Sequence, residues 1–71
     1  METKNHVIVN VSNCKWGRGA NMLEAMQNAK AKKSDKMYYY IFKNDNWDIW
    51  SDGRVLYDKK DLIFTQTINH V

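Results

Sequence analysis

The chain opens with a segment in which apolar and polar positions alternate. Between His6 and Ser12, residues Val7, Val9 and Val11 fall on one side of an extended chain, and polar residues dominate the other. Beta-branched residues repeating with a period of two predict a strand. We expect the valine side of this strand to face the core.

Two glycines interrupt the next segment. The stretch 13–20 contains Gly17 and Gly19 and predicts a loop, because glycine weakens regular elements. A helix is predicted to follow. Asn21 is suited to its N-cap, and Glu24 three residues later gives a capping-box pattern.

The predicted helix has one apolar side and ends near Lys33, before Ser34 and Asp35. Its lysines gather in the last turn, where positive charge complements the helix dipole. The apolar stripe consists of Met22, Leu23, Met26 and Ala29, with Ala25 beside it.

The second half of the chain predicts four strands separated by turns. The first, 36–43, has two apolar sides, and the last, 62–68, alternates apolar residues with Thr and Gln. Asp52 and Gly53 give a two-residue hairpin signal, since both tolerate positive φ. That turn joins strands predicted at 47–51 and 54–57. We expect the first three of these strands to form an antiparallel meander.

These elements predict a single domain covering residues 1–71 with the order β-α-β-β-β-β. A helix packed on a mostly antiparallel sheet is the natural arrangement, which is a two-layer sandwich of the α+β class. A domain of this size buries only about 60% of its unfolded surface. A deep, water-free active site is therefore not expected.

Composition narrows the chemistry. The net charge is +3, with nine lysines and two arginines, which permits nucleic-acid binding without requiring it. The lone cysteine, Cys14, excludes an internal disulfide and a cysteine-based zinc site, and we expect it to be a half-buried thiol rather than a catalytic one. No apolar run approaches the roughly 20 residues of a membrane span. We predict no metal, no cofactor and no membrane partner.

Aromatic residues are concentrated in one part of the chain. Seven of the nine lie between Tyr38 and Tyr57. One side of strand 36–43 presents Tyr38, Tyr40 and Phe42, which Trp50 could join, and the other presents Met37, Tyr39 and Ile41. The sequence does not decide which side the helix covers. Because one helix is too narrow for both, we expect some aromatic rings to remain uncovered and available for recognition.

Two further features are candidate sites for anions. The glycine-flanked Trp16 and Arg18 precede the predicted helix, whose free N–H groups favour an anion. The alternative is a plain strand-to-helix turn. A basic cluster near the predicted helix end is a candidate for phosphate contacts, although a solvated helix end is the simpler interpretation; it comprises Lys30, Lys32, Lys33 and Lys36.

Catalysis has little support. His6 and His70 lie near the two ends of the chain, and no serine or cysteine has an evident partner. The loop aspartates are explained by turn chemistry. We therefore expect a protein that is not an enzyme.

The stretch 17–29, GRGANMLEAMQNA, resembles a helix opening found in HicB-type antitoxins, although in those proteins most strands precede the helix and here they follow it. The whole chain looks like the accessory proteins of tailed bacteriophages, being very short, rich in Lys, Asn and Tyr, and without an enzyme motif. That resemblance implies an inhibitor or modulator of a bacterial host or defence protein, acting in the cytoplasm of the host. No functional residue is transferred by it.

The first functional hypothesis is a non-catalytic module that binds a bacterial protein. Its predicted contact residues are Trp16, Arg18, Tyr38, Tyr40, Trp47, Trp50 and Arg54. The alternative is a single-stranded nucleic-acid-binding protein, in which the aromatics stack on bases. Its predicted phosphate contacts are Arg18, Lys30, Lys32, Lys33 and Lys36. A homodimer that hides one apolar face of the sheet is a further possibility.

Overall fold

The computed structural model describes residues 5–51 and 53–69. Within them, one α-helix packs on a mostly antiparallel sheet, so the predicted α+β class is confirmed. The elements in chain order are β1 (His6–Asn10), β2 (Lys15–Gly19), α1 (Met22–Asn28), β3 (Met37–Phe42), β4 (Trp47–Ile49), β5 (Val55–Tyr57), a 3₁₀ turn (Lys59–Asp61) and β6 (Leu62–Ile68).

Four strands form the main sheet, in the order β2-β1-β3-β6, with every neighbouring pair antiparallel. Strands β4 and β5 pair only with each other. The predicted meander is therefore wrong, because the neighbours of β3 are β1 and β6. The β4–β5 hairpin instead forms a separate layer on the sheet face opposite α1. Of the two residues predicted at the hairpin turn, Gly53 has φ +88°, and Asp52 lies outside the described residues.

Strand β2 occupies the segment predicted as a loop, which corrects that prediction. Gly17 and Gly19 lie on the side of β2 under α1, where a Cβ on Gly17 would come within 2.6 Å of the carbonyl oxygen of Ala25. Glycine in a strand interior often marks the close approach of another backbone. The two glycines are thus needed for helix packing rather than for a flexible loop.

Helix α1 begins as predicted and ends earlier. The Asn21 side-chain oxygen accepts a hydrogen bond from the Glu24 amide at 2.9 Å, which confirms the N-cap. The last helical residue is Asn28, so the predicted end near Lys33 is wrong. Lys30 takes the left-handed conformation, with φ 52°, and the Ala31 amide donates to the carbonyl of Met26, which is the Schellman termination.

The helix end is fixed by residues distant in sequence. The side-chain amides of Asn13 and Asn10 both donate to the Lys30 carbonyl, at 3.2 and 3.5 Å. A left-handed non-glycine residue costs about 1–2 kcal/mol, and these bonds help to offset that cost. Such long-range contacts explain why the local pattern overestimates the length of the helix.

The first core lies between α1 and the sheet. Tyr39 and Met37 face the helix, so Tyr38, Tyr40 and Phe42 lie on the opposite side. Leu23, predicted in the apolar stripe, is 65% exposed, because the helix turns its Ala25 side toward the sheet. The fully packed members of this core are Ile8, Ala25, Ala29, Met37 and Tyr39.

The second core lies on the sheet face opposite α1, called here the far face. Val7 and Val9 pair with Tyr40 and Tyr38 across β1 and β3, and directly paired residues share one face of a sheet. Val11, predicted to face the core with them, lies beyond β1 and is 41% exposed, so that part of the prediction is wrong. Val7 and Val9 are buried, as expected, but they lie beneath the hairpin rather than beneath the helix. The helix instead covers the other side of β1, where Ile8 and Asn10 are fully buried.

Candidate functional site

The hairpin is attached to the far face by stacked aromatic rings. Phe42 stacks on Trp47 with ring centroids 5.3 Å apart and planes at 16°, and it contacts Tyr57 at the same centroid distance. Tyr40 lies 5.9 Å from the rings of both Phe42 and Tyr57. Since Phe42 is 2% exposed, it is the centre of this layer and is not available to a partner.

Arg18 lies on the outer surface of this aromatic layer. Its guanidinium carbon is 4.4 Å from the Trp47 ring centroid, and its Nη2 is 3.5 Å from an Asp45 carboxylate oxygen. The Nε1 atom of Trp47 is buried with no hydrogen-bond partner among the described residues. Ring contacts rather than a side-chain hydrogen bond therefore hold the Trp47 indole, which stacks on Phe42 and also supports Arg18.

A groove separates the hairpin from one end of the far face and is called here the aromatic groove. Its volume is about 530 Å³, within the range of small-molecule and peptide side-chain sites. Tyr38, Tyr40 and Tyr57 supply its aromatic surface. The complete lining is Val9, Asn10, Val11, Cys14, Lys15, Tyr38, Tyr40, Gly53, Arg54, Val55 and Tyr57.

The aromatic groove is basic. Lys15 and Arg54 line it, and the Nζ atom of Lys36 lies 6.0 Å from the Tyr38 ring centroid. Its described lining includes no acidic residue. This combination of aromatic rings and positive charge favours a ligand that carries both an apolar group and negative charge.

The hydroxyl of Tyr40, in the groove, is neutral at ordinary pH. Burial raises the pKa of Tyr40 above its usual value, and the neighbouring Tyr57 and Tyr38 raise it further. Tyr40 therefore keeps its proton at neutral pH and can donate a hydrogen bond. The groove therefore offers a hydroxyl donor beside aromatic rings.

Two tryptophans remain accessible beside this surface. Trp16 of β2 pairs with Val9 and therefore lies on the far face, where it is 38% exposed. Trp50 follows β4, is 48% exposed, and has the Arg54 guanidinium 5.4 Å from its ring centroid. The structure thus brings all seven residues predicted to bind a partner to the far face or the hairpin. Whether they bind one stays a prediction.

The predicted anion site in front of the helix is wrong. Trp16 and Arg18 belong to β2 and point to the far face, away from α1, whereas Gly17 and Gly19 lie beneath the helix. The Glu24 amide is already bonded to Asn21. The alternative of a flexible turn is also wrong, because the segment is a strand.

The basic cluster lies outside the helix. No basic residue occupies the last turn of α1, so the expected match with the helix dipole is wrong. The four lysines belong to the exposed connection from α1 to β3. An Asp35 carboxylate oxygen orders this connection by accepting from the Lys32 amide at 3.0 Å and the Asn10 side chain at 2.9 Å.

Cys14, His6 and His70 are the residues considered above for catalysis. Cys14 is exposed rather than half-buried and borders the aromatic groove. His6 Nδ1 lies 2.6 Å from the Tyr39 hydroxyl, and His70 is outside the described residues. Among residues 5–51 and 53–69, no three His, Cys, Asp or Glu side chains are arranged to hold a metal ion. No helix in the same part of the chain has the length and apolar character needed to cross a membrane.

Comparison with known proteins adds no assignment: no protein-family model, curated protein or solved structure matches the chain significantly.

Sequence reasoning missed several residues of the groove. Tyr57, Lys15 and Cys14 line it, yet none was a predicted contact residue. A signal for β2 was present, because Trp16 and Arg18 alternate with small residues at the period of a strand. The position of the hairpin over the far face depends on ring contacts between distant segments, which no local pattern reveals.

Proposed function

We propose that this chain is a non-catalytic protein-binding module whose contact surface is the far face together with the hairpin. The observation that carries the proposal is that two exposed tryptophans, Trp16 and Trp50, lie with Arg18 and Arg54 on the far face and the hairpin, and that Arg54 also lines the aromatic groove. Trp, Tyr and Arg are the residue types enriched at interface hot spots.

The arginines of this surface are partly ordered in advance. Arg18 stacks on Trp47 and Arg54 on Trp50. A side chain that is already held against a ring loses less conformational freedom when a partner binds. Preorganised arginine–tryptophan pairs therefore support an interface role more strongly than exposure alone.

The charge around the groove supports an acidic partner surface. Lys15 and Arg54 line the groove, and Lys36 stands beside Tyr38. Complementary charge increases the rate of encounter and orients the partner. We therefore propose a bacterial protein with an acidic contact patch. Inhibition of a host or defence protein in the bacterial cytoplasm is the finer proposal and rests on the resemblance to phage accessory proteins.

The test begins with capture of a stoichiometric partner from bacterial lysate by the immobilised chain, followed by calorimetry on the purified pair. Trp16→Ala and Trp50→Ala are each expected to raise the dissociation constant about 30-fold, because truncation of a hot-spot residue costs about 2 kcal/mol or more of binding free energy.

Leu23→Ala is the matched control, since Leu23 is 65% exposed on the helix layer, away from the far face. It should leave affinity unchanged. Recovery of no stoichiometric protein, or equal losses in the control and the tryptophan variants, would contradict the proposal.

A second candidate function is single-stranded nucleic-acid binding. It is favoured by the position of Lys36 beside Tyr38 and by Lys15 in the groove that Tyr40 also lines. Tyrosine rings stack on bases, and neighbouring lysines meet phosphates. Among the predicted phosphate contacts, Lys36 is the one whose contact with a groove tyrosine supports this function.

Fluorescence anisotropy with a labelled oligothymidylate separates the two functions. Nucleic-acid binding should weaken log-linearly between about 50 and 200 mM salt, and Lys36→Gln should make that slope shallower. Lys60→Gln, in the 3₁₀ turn, is the charge-matched control. Absence of binding at low salt would exclude this second candidate.

A further inference from the structure

In the part of the chain that the structure describes, strand β6 forms one outer edge of the main sheet, and its residues from Ile63 to Thr67 are exposed. Its sequence from Leu62 to Ile68 contains no charged residue and no proline. Ile63 is 60% exposed and Phe64 is 43% exposed. Natural proteins normally protect long edge strands with charge, proline or a covering element, because an open edge templates pairing with another chain.

The opposite edge of the sheet shows the contrast. Strand β2 carries Lys15 and Arg18, and α1 packs on its glycines. Helix α1 packs mainly on β2 and β1, and on β6 the helix-side residues Phe64 and Gln66 are exposed. One edge is therefore charged and covered, and the other is neutral and open.

Only part of β6 pairs with β3 in a regular register. The register with β3 shifts between Ile41 and Phe42, whose partners on β6 are Phe64 and Leu62. Ile63 is therefore the extra residue of a β-bulge, which locally disrupts the ladder. The regular edge available for pairing runs from Phe64 to Ile68.

We propose that this edge pairs with β6 of a second copy of the chain, antiparallel and symmetric about Gln66. In that register Phe64 lies opposite Ile68 of the second copy, Thr65 opposite Thr67, and Gln66 opposite itself. Aromatic with β-branched and Thr with Thr are favourable cross-strand pairs. The edge is thus complementary to itself.

Self-pairing also removes the exposure of the edge. The Phe64 ring, now in edge-to-face contact with Tyr39 at 6.0 Å, would gain Ile68 of the second copy as a neighbour. The neutral strand meets no like charge across the pair, although the chain has a net charge of +3. The proposal concerns the sheet edge and does not depend on the proposed function of the far face.

The first test is sedimentation velocity over a range of about 5 to 500 μM. The wild-type chain should shift from monomer to dimer with rising concentration. Gln66→Lys places two like charges opposite each other, which is destabilising, and should weaken dimerisation at least tenfold. Gln27→Lys is the matched control, because the same substitution falls on an exposed helical residue and should leave the dimer intact.

The second test fixes the register by disulfide formation in a Cys14→Ser background. Gln66→Cys should form an intermolecular disulfide readily, since directly opposite Cα atoms in an antiparallel pair lie about 4.5–5.5 Å apart. Thr65→Cys should crosslink slowly with itself, because Thr65 is predicted to face Thr67.

A monomer at every concentration, or equal effects of Gln66→Lys and Gln27→Lys in folded protein, would overturn the edge pairing. Faster crosslinking through Thr65→Cys would overturn the register. A dimer disrupted by Trp50→Ala instead of Gln66→Lys would place the second copy on the hairpin, which is equally inconsistent with the proposal.

Discussion

The two faces of the main sheet are both apolar, but they are covered by different means. On the helix side, small residues meet small residues: Ala25 of α1 lies against Gly17 and Gly19 of β2. On the far side, large rings meet large rings, with Phe42 against Trp47 and other aromatics. The first contact brings backbones together, and the second holds them apart.

This difference explains where a binding site is able to form. A close backbone approach leaves no space between the helix and β2. Bulky rings hold the short hairpin away from the sheet, and a groove of about 530 Å³ remains beside them. The size of the covering residues, and not only their apolar character, therefore determines whether a layer closes completely.

The largest loss of folding stability is expected from Phe42→Ala, which removes the ring that attaches the hairpin. Large-to-small changes at a buried Phe cost about 3–5 kcal/mol. A chain of 71 residues typically has only about 4–10 kcal/mol of folding stability in total. Urea unfolding measures the change, and loss of the stacked environment should also shift the tryptophan fluorescence.

The control for this prediction is Phe64→Ala, which removes the same ring from an edge position where it is 43% exposed. Its cost should be about 1–2 kcal/mol, scaled from the burial of a Phe side chain. If Phe42→Ala proves unfolded, Phe42→Leu provides the milder comparison. Equal losses at positions 42 and 64 would show that the far side is not a second core.

The next largest effect is expected from Gly17→Ala, which tests the small-residue contact. The added Cβ would approach the Ala25 carbonyl oxygen to 2.6 Å, so the helix must move away from β2. Overpacking of this kind costs about 1–3 kcal/mol, here at the upper end because the atom met is backbone. Urea unfolding again supplies the measurement.

Gly53→Ala is the matched control for that steric effect. At Gly53 the nearest atom to an added Cβ is a Val9 methyl at 3.4 Å, and the penalty comes from the backbone φ of +88°. We expect the free energy of unfolding to fall by about 1–2 kcal/mol because of the backbone conformation alone. A Gly17 variant no less stable than wild type would mean that the helix is free to reposition, contrary to the comparison of the two faces.

The sequence predicted the elements whose signals are local. The bounds of β6 were correct, since its alternation and the preceding turn are contained in adjacent residues. The Asn21 cap was correct for the same reason. The predicted end of α1 was wrong, because Lys30 is held in its conformation by Asn10, the last residue of β1, and by Asn13 in the turn that follows.

The candidate site was predicted in part. The sequence correctly indicated a surplus of aromatic rings, and Trp16 and Trp50 do remain exposed. It did not indicate that Phe42 and Trp47 would be used to attach the hairpin. That outcome depends on β3 pairing with β1 and β6, which leaves β4 and β5 to cover the far face.

The smallest predicted effect concerns the connection that follows the helix. Asp35 accepts hydrogen bonds from the Lys32 amide and from the fully buried Asn10. The pKa of the Asp35 carboxyl is lowered below its usual value of 3.8, mainly by the hydrogen bond from the Lys32 amide and then by the hydrogen bond from the Asn10 side chain. Because the folded state prefers the ionised form, this contribution to stability is complete above the unfolded pKa and is lost as the pH falls through the folded pKa.

Asp35→Asn removes the ionisable group but keeps the shape of the side chain. The difference in free energy of unfolding between wild type and this variant should be constant near neutral pH and should shrink as the pH falls below about 4. Urea unfolding at a series of pH values measures it. A difference that grows on acidification would mean that the carboxylate does not support the attachment of the helix layer to β1, and the helix side would then be held by its small-residue contact alone.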